Sequence, residues 1–208
     1  MESKFKIVCF GFTKFFILAL MALLSLSIIY SVTYCDILHT GLISDRSLTE
    51  ALQESLLFIS ICIYFYIVKR YHVKGVILVA GFLTCMLIRE WDGVFDVLLF
   101  HGAWKYVAIP AAVLSCYLAF SSGKDKVIAD LACFMQKKAY NILLLGMIVV
   151  LIISRIFGMR ILLNLFSSIS FNQGLKNFLE EGSELFGYLI IFYATLMFLW
   201  EYKKLYKN

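Results

Sequence analysis

The chain has 208 residues, 62% of them hydrophobic and 16% charged, with one proline and a formal net charge of +5. That balance excludes a soluble globular domain and a disordered chain, and a mean hydropathy of +0.88 points to lipid as the surrounding solvent. The basic excess forms no patch interleaved with aromatics in a soluble stretch, so nucleic acid is not an expected partner.

A bilayer crossing needs about 20 mostly apolar helical residues, and six runs qualify: 15–32, 52–68, 76–100, 104–120, 142–157 and 185–200. They are apolar on all sides, which a barrel strand is not. The expectation is an all-α polytopic transmembrane helix bundle of about six spans, residues 1–208 forming a single membrane domain. The first run ends in Ser31-Val32-Thr33-Tyr34, which offers no small-x-small cleavage site, and reads as a retained anchor. With both the N-terminus and the C-terminus inside, 13 of the 19 lysines and arginines fall on the inner side. Ten of the 14 acids then fall at the outer side, an independent asymmetry. The inner basic charge suits anionic headgroups.

Of the six cysteines only Cys35 lies clearly outside, so no outer disulfide is expected, and the absence of a C-x-x-C spacing argues against a zinc-thiolate site.

Along the chain, Ser47-Leu48-Thr49-Glu50 has the form of a capping box opening the second span. Glu54 sits one turn deeper, where an ionisable group is expected to face the bundle interior or a wet cavity. The third run carries Arg89-Glu90-Trp91-Asp92-Gly93-Val94-Phe95-Asp96 towards its C-terminal end, where the helix dipole opposes carboxylates. On a continuous helix Arg89, Asp92 and Asp96 share a sector of about 60°, while Glu90 aligns with His101. Arg89 is thus the expected neutraliser of one aspartate. Pro110 bends or begins the fourth span. Residues 124–138 read as an amphipathic segment on the inner surface, with Val127, Ile128, Leu131, Phe134 and Met135 on one side. Residues 159–178 read as an outer interfacial cap. Asn177-Phe178-Leu179-Glu180 repeats the capping pattern before the last span, with Glu184 one turn deeper. Ser183 and Gly187 place small residues four apart for close helix contact. Trp91, Trp104, Lys105 and Tyr106 fit an outer interfacial belt, Trp200 and Tyr202 an inner one.

Leu48-Thr49-Glu50-Ala51-Leu52-Gln53-Glu54 resembles the Glu-x-x-x-Glu element of bacterial undecaprenyl-pyrophosphate phosphatases, but the chain lacks the Gly/Ser/Arg-rich phosphate loop of that family. Across its length the chain is similar to small bacterial multi-pass inner-membrane proteins. The elements that carry this are Thr49-Glu50-x-x-Gln53, Arg89-Glu90-x-Asp92, His101-Gly102-x-Trp104-Lys105 and Glu180-Glu181-Gly182-x-Glu184-Leu185-x-Gly187-Tyr188. The resemblance implies a bacterial inner-membrane location and brings no activity with it.

The functional expectation is an outward-facing carboxylate and histidine cluster. A divalent metal (Mg²⁺, Mn²⁺ or iron) would be held by Glu54, Asp92, Asp96 and Glu184. Glu90 or His101 would serve as general base, with Arg89 and Lys105 orienting an anionic headgroup. The corresponding reaction is hydrolysis or transfer on a lipid or lipid-linked substrate. The alternatives are a non-catalytic membrane subunit that binds a membrane-protein partner, and a proton- or cation-coupled transporter.

Overall fold

The computed structural model describes residues 2–40, 47–121, 123–159 and 173–205. Their architecture is all-helical: α1 (Glu2–Thr40), α2 (Leu48–Tyr71), α3 (Ile77–Glu90), α4 (Asp92–Leu98), α5 (Trp104–Phe120), α6 (Lys124–Met135), α7 (Lys138–Ile148), α8 (Ser154–Gly158) and α9 (Gln173–Leu205). A 3₁₀ turn at Lys74–Val76 leads into α3, and a π-helical turn at Val149–Ile153 joins α7 to α8.

Among the described residues, four stretches are long and apolar enough to cross a membrane: Ala19–Asp36, Leu48–Tyr71, Lys138–Gly158 and Lys176–Leu205. They contain three of the six expected runs, 52–68, 142–157 and 185–200, and overlap a fourth, 15–32. The third run is broken at Trp91 (φ −82°, ψ 13°), which leaves 14 residues in α3 and seven in α4. The fourth run matches α5, whose 17 residues enclose Pro110. α6 turns away from α5 by 103°.

The last helix is the centre of the bundle. It packs along α2 and α7, while α3 packs on α2 and α5, and α1 packs on α2 and α9. The apolar window of α9 is 44% buried and that of α1 only 17%, which makes α1 peripheral. Tyr64, Leu83, Leu185, Tyr188, Ile191 and Phe198 form the core where these helices meet. Hydrophobicity does little to drive helix association in lipid, so close approach at small residues matters more. Gly146 and Gly187 supply it: a Cβ on Gly187 would stand 3.1 Å from the Gly146 carbonyl oxygen and collide with Val150 Cγ2. Large apolar side chains stay exposed on the periphery, among them Phe58, Ile109, Val113 and Tyr117, as a lipid-contacting surface requires.

Local chemistry sets the ends. Ser47 caps α2 by accepting the Glu50 amide at 3.2 Å, as the capping box predicts. Lys69 and Arg70 occupy its last turn, favoured by the dipole, and His72 ends it in the left-handed conformation (φ 55°). The expected cap at Asn177 is corrected: α9 starts at Gln173, so Asn177 and Glu180 lie inside the helix. Most of the expected outer cap, 160–172, lies outside the described residues, and 173–178 belong to α9.

Candidate functional site

The start of α2, the end of α3 and the first half of the α9 span meet around a polar chamber of about 40 Å³. It is room for about one or two waters. Its walls are Glu50, Gln53 and Glu54 from α2, Glu90 from α3, and Glu181 and Glu184 from α9. Spacing explains the convergence. Positions 50, 53 and 54 share one face of α2, and 181, 184 and 188 share one face of α9.

Each wall carries a defined hydrogen-bond set. Arg89 Nη2 lies 2.6 Å from Glu90 Oε1, and the buried Tyr188 hydroxyl donates to the same oxygen at 2.8 Å. Glu184, only 7% exposed at its side chain, meets Arg155 Nη2 at 3.1 Å and Ser154 Oγ at 3.3 Å. The Gln53 amide donates to the Glu181 carbonyl oxygen at 3.1 Å and to its carboxylate at 3.3 Å. Glu54 makes no hydrogen bond or ion pair among the described residues. Among the described residues, five carboxylates therefore stand with two guanidinium groups, at a depth where charge is costly. Protons or a cation are what such a chamber can take up.

The π-helical turn contributes to this arrangement. Five residues at Val149–Ile153 wind more widely than an α-helix and immediately precede Ser154 and Arg155. Ser154 Oγ lies 2.6 Å from the Val150 carbonyl oxygen, a bond back into that turn, while its neighbour Arg155 reaches Glu184.

A second, larger space adjoins the first. A groove of about 560 Å³ is lined by Ser47, Glu50, Ala51, Glu54, Glu90, Gly93, Val94 and Val97. Glu50, Glu54 and Glu90 line both spaces.

Of the expected site residues, Glu54, Glu90 and Glu184 are brought together. Asp92 and Asp96 line neither cavity. They sit on α4 beyond the break at Trp91, so the helical alignment that joined them to Arg89 does not apply. Arg89 is instead bound to Glu90. Likewise His101 does not align with Glu90: its Nδ1 lies 2.6 Å from Asp96 Oδ2, with the ring 92% exposed. The Gly102 amide donates to the other Asp96 oxygen at 2.9 Å, which closes a turn with Gly102 at φ 79°. Lys105 lies over the Trp104 ring, 5.8 Å from its centroid, and lines neither cavity. Among the described residues no group of three or more His, Cys, Asp or Glu side chains has the arrangement of a metal site.

Ser154 and Arg155 are site residues with no counterpart among the expected ones, and Gln53 and Tyr188, present in the sequence only as parts of the resemblance elements, take on roles in the site. A signal existed for Arg155, the single charged residue in the apolar run 142–157. These features define a helical membrane bundle with an acidic chamber between helix ends. No protein-family model, curated protein or solved structure matches the chain.

Proposed function

We propose that the protein is a six-span inner-membrane protein of bacterial type, with both termini inside, that binds a lipid or lipid-linked substrate in the groove. Hydrolysis or transfer takes place there with the help of a cation or proton held in the chamber. The observation that carries this reading is the sharing of Glu50, Glu54 and Glu90 between chamber and groove. A space lined both by carboxylates and by Ala51, Val94 and Val97 has the mixed polarity of an amphiphile.

Six crossings follow if Lys74–Glu90 and α5 are added to the four long stretches, since 17 residues rise about 26 Å, close to the thickness of a hydrocarbon core. The lysine and arginine asymmetry supports placing the termini inside. For a divalent cation Glu54 and Glu184 are the chamber ligands; for a proton the acceptor is Glu54, whose side chain has no ion-pair partner among the described residues. Glu90, fixed by Arg89 and Tyr188, shapes the site.

The test is Mn²⁺ binding by the purified full chain, followed by electron paramagnetic resonance. Near-stoichiometric binding that is lost in Glu54→Gln and Glu184→Gln supports the reading, and folded protein that holds no Mn²⁺ ends its metal version. A second reading has its own observation: Arg89–Glu90–Tyr188 ties α3 to α9, and Arg155–Glu184 ties α8 to α9. In that case the acids lock a non-catalytic membrane subunit. Loss of a co-purifying partner or of the fold in the same variants, with no cation bound to the unaltered protein, selects it.

A further inference from the structure

At the end of α2 remote from the chamber, α6 leaves α5 at 103° and packs against the 3₁₀ turn Lys74–Val76. The Asp130 carboxylate accepts the Gly75 amide at 3.0 Å, and Val127 and Phe134 are buried. Position 75 must be glycine for this approach, because a Cβ there would lie 2.7 Å from both the Val127 carbonyl oxygen and Asp130 Cβ.

The docking uses only part of the apolar sector of α6. Ile128 and Met135, about 20° apart and roughly 80–100° round the helix from Val127, are 61% and 50% exposed. Lys124 and Lys126, both exposed, begin the same helix, and Lys138 is exposed just after it. Lys69 and Arg70 are exposed on the last turn of α2, which leads into the turn that α6 packs against. Lys137 is engaged elsewhere, 5.7 Å from the centroid of the Tyr202 ring. The result is an uncovered apolar stripe on a helix held crosswise to its neighbour, beside exposed cations of α6, α7 and α2, of which Arg70 also stands 5.9 Å from the Tyr71 ring centroid.

We propose that α6 and the end of α2 form a binding surface for anionic phospholipid. The Ile128 and Met135 stripe rests against acyl chains, and Lys124, Lys126 and the neighbouring cations engage headgroup phosphates. Charge complementarity selects this occupant: an apolar stripe alone fits any lipid, but the flanking cations favour a headgroup with net negative charge. The surface stands apart from the chamber and does not depend on what the chamber binds.

Native mass spectrometry of the full chain, released from detergent with equal amounts of phosphatidylglycerol and phosphatidylcholine, tests it. Phosphatidylglycerol adducts are expected to exceed phosphatidylcholine adducts about fivefold, the factor that one lysine near an anionic surface supplies. The preference should fall to near parity in Lys124→Gln/Lys126→Gln and persist in Lys203→Gln/Lys204→Gln, whose lysines are exposed on the last turn of α9. If the first double variant does not yield folded protein, Lys126→Gln alone makes the comparison at a smaller factor. Equal adducts in the unaltered protein, a preference that survives the α6 variants, or equal loss in both pairs overturns the proposal.

Discussion

Glu184 on α9 and Arg155 on α8 face each other at 3.1 Å, but they are unequally placed: the carboxylate side chain is 7% exposed and the guanidinium side chain 45%. Removing either partner therefore has different consequences. Arg155→Gln leaves a buried carboxylate without its counter-ion. Breaking a fully buried pair costs about 3–5 kcal/mol, and the half-exposed position of Arg155 lowers the expectation to about 1–2 kcal/mol. Glu184→Gln removes the buried charge itself and leaves an arginine that water can reach, so its cost should be smaller. Denaturant unfolding in micelles measures both, and equal losses would contradict the asymmetry.

The crossing of α7 and α9 makes a steric prediction. Gly187→Ala forces a methyl group against Val150 and the Gly146 carbonyl oxygen, and should destabilise by about 1–3 kcal/mol, as overpacking does. Gly93→Ala is the control, since a Cβ there meets nothing within 4 Å. Within α4 it should be neutral or stabilising by up to about 1 kcal/mol. Thermal unfolding of the two variants decides it: a harmless Gly187→Ala would mean that α7 and α9 do not cross this closely.

How far the sequence discloses this molecule depends on which rule each segment obeys. α2 and α5 follow from apolar run length, and the start of α2 from Ser47 and Glu50, because capping is a local property of four residues. The chamber was partly legible as well, since Glu54 and Glu184 are ionisable groups placed just inside apolar runs. The error came from extrapolating one helical period through Trp91. From the first residue past that break the helical phase no longer carries over, so Arg89 pairs with Glu90, and His101 finds Asp96 instead of Glu90. The roles of Gln53 and Tyr188 are not legible in the sequence because they come from partners distant along it, Glu181 and Glu90.

The His101–Asp96 pair should be pH-sensitive within a defined window. The hydrogen bond from His101, with that from the Gly102 amide, holds the Asp96 carboxyl below its ordinary value of 3.8. In turn the hydrogen bond and negative charge of Asp96 raise His101 above 6.5, against the opposing charge of Lys105, with Asp92 adding to the rise. A lowered acid contributes stability above its ordinary value and loses it as pH falls through the lowered one. A raised base contributes below its ordinary value and loses it as pH rises through the raised one. The turn at Leu99–Gly102 should therefore be held best between about pH 3.8 and 6.5. An NMR titration of the His101 ring should give a midpoint above 6.5 that drops in Asp96→Asn. A midpoint unchanged by that substitution would show that the two side chains do not interact in solution.

Asp36 ties the peripheral α1 to the bundle and makes a last prediction about the α2 terminus. Its carboxylate, 2% exposed, accepts the Leu48 amide at 2.7 Å, the Thr49 amide at 3.1 Å and the Thr49 hydroxyl at 2.6 Å. It therefore satisfies amides that Ser47 does not, since Ser47 takes that of Glu50. Asp36→Ala leaves three donors without an acceptor and should cost about 2–3 kcal/mol, whereas Asp36→Asn keeps one carbonyl oxygen and should cost about 1 kcal/mol. Amide hydrogen exchange locates the effect: residues 48 and 49 should exchange faster in Asp36→Ala while Glu50 stays protected by Ser47. Unchanged exchange at 48 and 49 would mean that α1 does not cap α2. Because Glu50, Gln53 and Glu54 lie on the turns that follow, fraying there should also weaken Mn²⁺ binding in the chamber, in the same rank order as the two substitutions.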